Sequence, residues 1–178
     1  QQRRKAELQL DAFALSGIDA VAPGVGDLVL GVEWLGEAAA SRSVPLLAAN
    51  LTCGGEAPFE GWRVVERDGI SLGFVGVLSE KRKVDGCAVS DPVAALNEAA
   101  AAMESVDLLV ALTHTSADED EALAAAVDDI DIIVNGHARL NRTSPTSLPG
   151  QALQLSSGSR GKKLGVADIT LILSLIHI

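Results

Sequence analysis

The sequence contains no tyrosine, and aromatic residues make up only 3% of its 178 residues. So few rings cannot build the stacking surfaces that single-stranded nucleic acids require. Positive charge is also scarce, because 14 lysines and arginines face 24 acidic residues and leave a net charge of −10. Binding to nucleic acid needs clustered basic residues, so this class of partner is excluded. The sequence also offers no apolar run of membrane-spanning length.

Cysteine is almost as rare, since Cys53 and Cys87 are the two cysteines of the chain. They lie far apart and outside any CxxC pattern, which excludes a thiolate zinc site. Two cysteines permit one disulfide in an exported protein, but the simpler interpretation is two unpaired thiols. The short basic runs "QQRRK" at 1–5 and "EKRK" at 80–83 are interpreted as solvated charge on a helix end and a loop.

Both ends of the sequence look cut. The chain opens on "QQRRKAELQL", with neither an initiator methionine nor a signal peptide. The apolar hexamer "LSLIHI" at 173–178 matches the translation of a transposase end sequence used in sequencing libraries. We therefore expect one domain over residues 1–172 that lacks its N-terminal part, followed by a non-native tail that includes His177.

The apolar pattern changes its period repeatedly, as in α/β proteins. Helical spacing predicts a helix through Ala6, Leu10, Phe13 and Ala14 that stops at Gly17, and helices at 27–41, 90–105 and 116–127. Strand-like runs separate them, such as "IDAVAPG", "VPLLAANL", "VDLLVALTH" and "IDIIVNGH". "WRVVERDGISLGFVGVL" predicts a hairpin turning at Asp-Gly, and "QALQLSS" and "KKLGVADITLIL" predict two last strands. This order predicts a layered α/β fold with a mixed, largely parallel sheet.

Two histidines stand out in this pattern. His114 and His137 each end a buried strand, and one helix separates the two strands. Both side chains should emerge at the carboxyl edge of the sheet, where open α/β folds bind ligands. Neutral imidazoles brought together there suit a divalent metal. The alternative is that each histidine is a hydrogen-bonded structural residue. The acidic run "ADEDE" at 117–121 lacks calcium-loop spacing and is interpreted as a solvated helix start.

The stretch "VDLLVALTHTSADEDEALAAAVDDIDIIVNGH" resembles the most specific region of the calcineurin-like metallophosphoesterases, in their bacterial 5′-nucleotidase-like branch. "VPLLAANL" and "SSGSRGKKLGVADITL" are similar to further segments of that family. The resemblance implies the C-terminal part of a layered αββα sandwich whose two metal ions clamp a phosphate for attack by water. It also implies His114 and His137 as metal ligands, a phosphoester or nucleotide ligand, and a periplasmic or exported location.

The sequence departs from that family at three places. The second histidine of the family's Gly-His-x-His motif is Arg139 here. The family's "GNHEFDxG" aligns with "GVGDLVLG", so that Val25 and Gly26 replace a metal-binding asparagine and the catalytic histidine. Asp27 falls where the family has glutamate; it could ligate a metal, but we favour a helix cap. Arg139 could hold a phosphate bidentately or be a surface arginine, and Gly24 and Gly26 should serve a tight turn.

Three hypotheses follow. The first is a divergent metal-dependent phosphoester hydrolase that holds at most one Mn or Zn ion, with Asp27 and Arg139 as candidate catalytic residues. The second is a non-catalytic relative whose eroded dinuclear site binds a ligand or a partner. The third is a plain α/β domain with structural histidines. The residues leave substrate and oligomeric state open.

Overall fold

The structure is a computed structural model that describes residues 1–138, 144–158 and 162–170. Arg139 and the expected non-native tail at 173–178, with His177, lie outside the described residues.

Helices form close to where the apolar spacing predicts them. Within the described ranges they are α1 (Gln2–Ser16), α2 (Val25–Leu28), α3 (Val32–Ala40), α4 (Pro92–Ala102), α5 (Ala117–Ala126) and a 3₁₀ turn (Pro149–Gln151). Helix α1 ends at Gly17, whose φ of 63° is the left-handed conformation that suits glycine after a helix. Helix α4 begins after Asp91, whose carboxylate accepts the Val93 N–H.

The described strands fall into two sheets. They are β1 (Leu51–Cys53), β2 (Trp62–Arg67), β3 (Ile70–Leu78), β4 (Cys87–Val89), β5 (Leu108–His114), β6 (Ile132–Asn135), β7 (Thr146–Ser147) and β8 (Leu153–Leu155). Strands β1 and β4 form a small antiparallel sheet, and the other six form a sheet in the order β2-β3-β5-β6-β8-β7. The four inner strands are parallel, whereas β2 and β7 pair antiparallel at the two ends. The prediction of a mixed, largely parallel sheet is confirmed.

The hydrophobic core divides into two clusters. One includes Val75 and Ile133 of the large sheet together with Leu96 of α4 and Leu123 of α5. The other joins α1–α3 to the small sheet and to the end of β3, through residues such as Leu10, Leu35, Leu51 and Leu78. Strands β3, β5 and β6 are therefore anchored along their length, and their carboxyl ends are held in fixed relative positions.

Four expectations about individual elements are wrong. The single helix predicted from residue 27 is broken at Gly31, where a φ of 100° interrupts the helix and separates α2 from α3. The strands predicted at "IDAVAPG" and "VPLLAANL" are reduced to isolated bridges, one between Val21 and Leu46 and one between Leu47 and Glu60. Residues 162–170 form neither helix nor strand, and Leu164 and Val166 are 89% and 80% exposed. Residues 171–173 of the strand predicted at 162–173 lie outside the described residues.

The two cysteines are joined, so the interpretation as unpaired thiols is wrong. Cys53 of β1 and Cys87 of β4 are directly opposite in the small sheet and form a disulfide, with their Cα atoms 4.1 Å apart. The sequence could not show this, because the two cysteines are 34 positions apart and only the pairing of β1 with β4 brings them together. The disulfide closes a covalent loop that contains the whole β2–β3 hairpin.

Among the described residues, no helix combines the length and the apolar character needed to cross a membrane.

Candidate functional site at the carboxyl edge of the sheet

His114 and His137 meet as the topology predicts. His114 is the last residue of β5, and His137 follows the neighbouring parallel strand β6 by two residues. Their ring centroids are 4.6 Å apart, and the planes are tilted by 58°. Both side chains are half-buried. The pairing of strand-end histidines therefore places two imidazoles in contact at the carboxyl edge of the sheet.

A third group reaches the same place from β3. The guanidinium Nη2 of Arg82, in the loop after β3, lies 2.7 Å from Nε2 of His137. A guanidinium donates hydrogen bonds and accepts none, so the imidazole nitrogen is the acceptor in this contact. Three adjacent parallel strands, β3, β5 and β6, thus each contribute one side chain to the cluster.

The fourth contribution comes from the loop that starts α2. A Cβ added to Gly24 would lie 2.6 Å from Cε1 of His114, so only glycine fits against this ring. Gly24 has an ordinary extended φ of −87°, so close approach rather than turn geometry requires it. Gly26 lies inside α2 and has nothing within 4 Å of an added Cβ. Both glycines lie in a tight turn as expected, closed by the Asp27 N–H on the Gly24 carbonyl at 2.9 Å, but neither has a positive φ that would require glycine for the turn itself.

Asp27 lies near His114 but is occupied by the backbone. Its Oδ2 accepts the Gly24 N–H at 2.8 Å. Asp27 is the third residue of α2, and Gly24 is the N-cap residue. The expected cap is therefore made from inside the first turn rather than from the N-cap position. The carboxylate also acts on His114: burial lowers the pKa of His114, His137 and Arg82 lower it further, and Asp27 raises it.

Behind the histidines lies a buried carboxylate. Asp120 of α5 is fully buried and accepts hydrogen bonds from Thr115 Oγ1 at 2.5 Å, Asn135 Nδ2 at 2.5 Å and Gln154 Nε2 at 2.6 Å. Burial raises the pKa of Asp120, and these hydrogen bonds oppose the increase. The interpretation of "ADEDE" as a solvated helix start is right for Asp118 and wrong for Asp120.

Asn135 connects this carboxylate to the turn that carries His137. Its Nδ2 donates to Asp120 and to the Thr115 carbonyl, so the amide is fixed in one orientation. Its Oδ1 then accepts the backbone N–H groups of His137 and Ala138 at 2.9 and 2.6 Å. Asp120 therefore orients the histidine turn through Asn135, without touching the histidine itself.

The residues gathered here do not fit a dinuclear metal centre. Among residues 1–138, 144–158 and 162–170, no group of three or more His, Cys, Asp or Glu side chains is placed to hold an ion. Two imidazoles are present, and a guanidinium cation already contacts one of them. Because a cation beside a metal ligand repels the metal, the Arg82 contact further weakens such a site.

Comparisons with known proteins agree with this architecture. No protein-family profile matches the sequence. An apyrase from the mosquito Aedes aegypti is 30% identical over 118 residues, which cover 60% of this chain and 21% of the apyrase. A 5′-nucleotidase precursor from Thermus thermophilus superposes with a TM-score of 0.70 and 21% identity, over 89% of this chain and 36% of that one. The calcineurin-like phosphoesterase YfkN from Bacillus subtilis gives a TM-score of 0.64 and 19% identity, over 82% and 56%.

The chain has the calcineurin-like phosphoesterase fold. The resemblance carried by the histidine-containing stretch is thereby confirmed at the level of fold. The chain spans about a fifth of the apyrase and about a third of the 5′-nucleotidase.

Within this phosphoesterase fold, the sequence-based prediction missed two residues of the cluster. The basic run "EKRK" predicts solvated charge, yet its Arg82 follows β3 just as the histidines follow β5 and β6. The same strand-end argument applied to "EKRK" would have found it. The burial of Asp120 could not be predicted, because it lies in a run of acidic residues that together are typical of an exposed helix start. Arg139, the expected phosphate ligand, lies outside the described residues.

Proposed function

We propose that this chain forms part of a divergent phosphoester hydrolase that acts on nucleotide-class substrates. The observation that carries the proposal is the contact of His114 with His137, 4.6 Å between centroids, at the sheet edge of a phosphoesterase fold. The likeness to apyrases and 5′-nucleotidases favours a nucleotide as the phosphoester. Water would cleave a P–O bond and release phosphate, together with an alcohol from a monoester or with the shorter nucleotide from a di- or triphosphate.

His114 and His137 remain the candidates for holding a metal. Two rings this close can share one divalent ion, since Zn–N bonds are about 2.0–2.1 Å long. Two imidazoles are fewer than the three protein ligands of a catalytic zinc site. The proposal therefore allows at most one weakly held Mn or Zn ion per chain.

Elemental analysis tests this limit directly. After dialysis against Mn or Zn, the 178-residue chain should retain at most one ion, and His114→Ala should retain none. Gln9→Ala, a change in helix α1 far along the chain from both histidines, serves as the control and should retain the wild-type amount. Two tightly held ions in the wild type would contradict the proposal.

Hydrolysis is tested by phosphate release from AMP, ADP and ATP, with and without added Mn or Zn. Release that His137→Ala abolishes would support the hydrolase. Absence of release under all of these conditions would reject hydrolysis by the 178-residue chain itself.

A second candidate function is ligand binding without hydrolysis. It is favoured by Val25 and Gly26, which follow Gly24 at the point where the backbone contacts His114. Neither residue has a side chain that can transfer a proton or bind a metal. Saturable AMP binding by calorimetry, combined with no release of phosphate, would identify this function.

A further inference from the structure

The loop after β3 is fixed to the histidine strands by its own hydrogen bonds. The Ser79 N–H donates to the His114 carbonyl at 3.3 Å, and Ser79 Oγ donates to Glu119 Oε1 at 2.6 Å. The Arg82 N–H then closes a turn onto the Ser79 carbonyl at 3.0 Å. The backbone that carries Arg82 is therefore positioned relative to β5 and α5, although the Arg82 side chain is exposed.

The Arg82 contact occupies one of the two ring nitrogens through which His137 could bind a metal. With Nη2 at 2.7 Å from Nε2 of His137, a metal ion and the guanidinium cannot occupy this position together. A guanidinium carries five N–H donors, so several remain for another acceptor. Its planar fork matches phosphate oxygens, and its charge is permanent at physiological pH.

We propose that Arg82 is the built-in cation of this site and binds the phosphate group of the ligand without a metal ion. The inference rests on the proposed function for its ligand class, and it names the group that recognises the phosphate. His137 holds the guanidinium in place through Nε2. The site would thus replace metal charge by arginine charge at the edge shared by β3, β5 and β6.

Other groups already bind the carboxylates of Glu119 and Asp27. Glu119 is engaged by Ser79, by the Ser116 N–H and hydroxyl, and by Lys81, whose Nζ lies 3.5 Å from Oε1. Asp27 is engaged by the Gly24 N–H. Because these carboxylates are hydrogen-bonded to other groups, their charge is partly compensated before a phosphate arrives.

The first experiment measures binding of inorganic phosphate and AMP by calorimetry in excess EDTA at low ionic strength. We expect Arg82→Gln to weaken both by about tenfold or more, since a charge-assisted hydrogen bond is lost. Lys83→Gln removes the same charge from the same loop and should stay within about twofold of the wild type. Arg82→Lys should be intermediate, because it keeps the charge and loses the fork. Adenosine, which lacks phosphate, should not respond to Arg82→Gln.

Equal affinity of the wild type and Arg82→Gln for phosphate and AMP would overturn the inference. So would wild-type binding that appears only after Mn or Zn is added. Circular dichroism spectra of all variants establish that each one is folded.

The second experiment measures zinc affinity in the absence of phosphate. Removal of the guanidinium frees Nε2 of His137 and removes a like charge, so Arg82→Gln should bind zinc more tightly than the wild type and Lys83→Gln should not. Unchanged zinc affinity in Arg82→Gln would refute the cation replacement. The two proposals can fail separately. If phosphate binds without a metal but no hydrolysis occurs, the role of Arg82 stands and the hydrolase proposal fails. If hydrolysis occurs and is unchanged in Arg82→Gln, the hydrolase proposal stands and the role of Arg82 fails.

Discussion

Replacement of Asp120 by alanine would test how the histidine turn is held. The change leaves three buried donors, on Thr115, Asn135 and Gln154, without their acceptor. Each unsatisfied buried donor costs about 1 to 3 kcal/mol. Removal of the carboxylate also removes the cost of burying it. We therefore expect the lower end of the range summed over the three donors, a loss of about 3 kcal/mol in the free energy of unfolding.

The measurement is urea unfolding followed by circular dichroism. The Asp120→Ala midpoint should fall with an unchanged denaturant slope, as for a change in stability alone. Glu121→Ala, an exposed acid on the same helix, is the matched control and should change the stability by about 0.5 kcal/mol or less. A loss below about 1 kcal/mol in Asp120→Ala would refute the reasoning, because water would then replace the carboxylate at little cost.

The same variant has a local readout. The His137 and Ala138 amide protons are bonded to Asn135 Oδ1, which Asp120 orients. Hydrogen exchange at these two amides should accelerate in Asp120→Ala by more than the global loss of stability explains. Exchange that follows global stability alone would show that Asn135 holds the turn without Asp120.

Three further predictions concern the surroundings of the site. Gly24→Ala should displace His114, because the new Cβ would lie 2.6 Å from its ring. Nuclear Overhauser spectra should then lose the contact between the His114 and His137 rings. Gly26→Ala, which has open space around the new Cβ, should keep that contact. Replacement of both cysteines by serine should cost about 3 to 4 kcal/mol in chemical unfolding, from the entropy of a loop with a sequence separation of 34; an unchanged midpoint would contradict a formed disulfide. Burial acts to raise the pKa of Glu119, but hydrogen bonds from Ser79 and Ser116 and the charge of Lys81 lower it to about 2. The ionised Glu119 side chain therefore stabilises the protein fully above its ordinary pKa of 4.5, and this stabilisation is lost as pH falls towards 2. The difference in free energy of unfolding between the wild type and Glu119→Gln should shrink over that interval. A difference that is constant with pH would refute the assignment.

The sequence predicted the parallel centre of the sheet because those strands are nearly continuous apolar runs. "VDLLVALTH" contains the buried strand β5, and β6 within "IDIIVNGH" is buried except at Val134, which is 37% exposed; such apolar runs have few alternatives to a parallel strand. The contact of His114 with His137 followed from strand order alone. Elements that depend on distant partners were harder to predict: the strand expected at 162–173 has the right alternation, yet its described residues, 162–170, do not form a strand.

Long-range contacts set the rest of the site. The Arg82–His137 bond joins residues 55 positions apart, and the disulfide joins residues 34 apart. The position of Arg82 after a strand could have marked it as a candidate, but nothing in the composition or spacing identifies His137 as its partner or pairs the two cysteines. The break at Gly31 is different, since a glycine inside an apolar helical pattern is compatible both with continuation and with a stop. Only the packing of α2 and α3 decides between them.

The antiparallel strands at the two ends of the large sheet have a consequence for association between molecules. An unpaired strand edge can recruit another chain, and parallel strands with long apolar runs are the most hazardous to expose. Here the described sheet ends on one side in β2, whose Arg63, Glu66 and Arg67 place charge along the edge, and on the other in β7, which is two residues long. A molecule that lost β2 would uncover the apolar strand β3, and one that lost β7 would uncover the short strand β8. We therefore expect these edges to protect the protein from aggregation while they add little to its core.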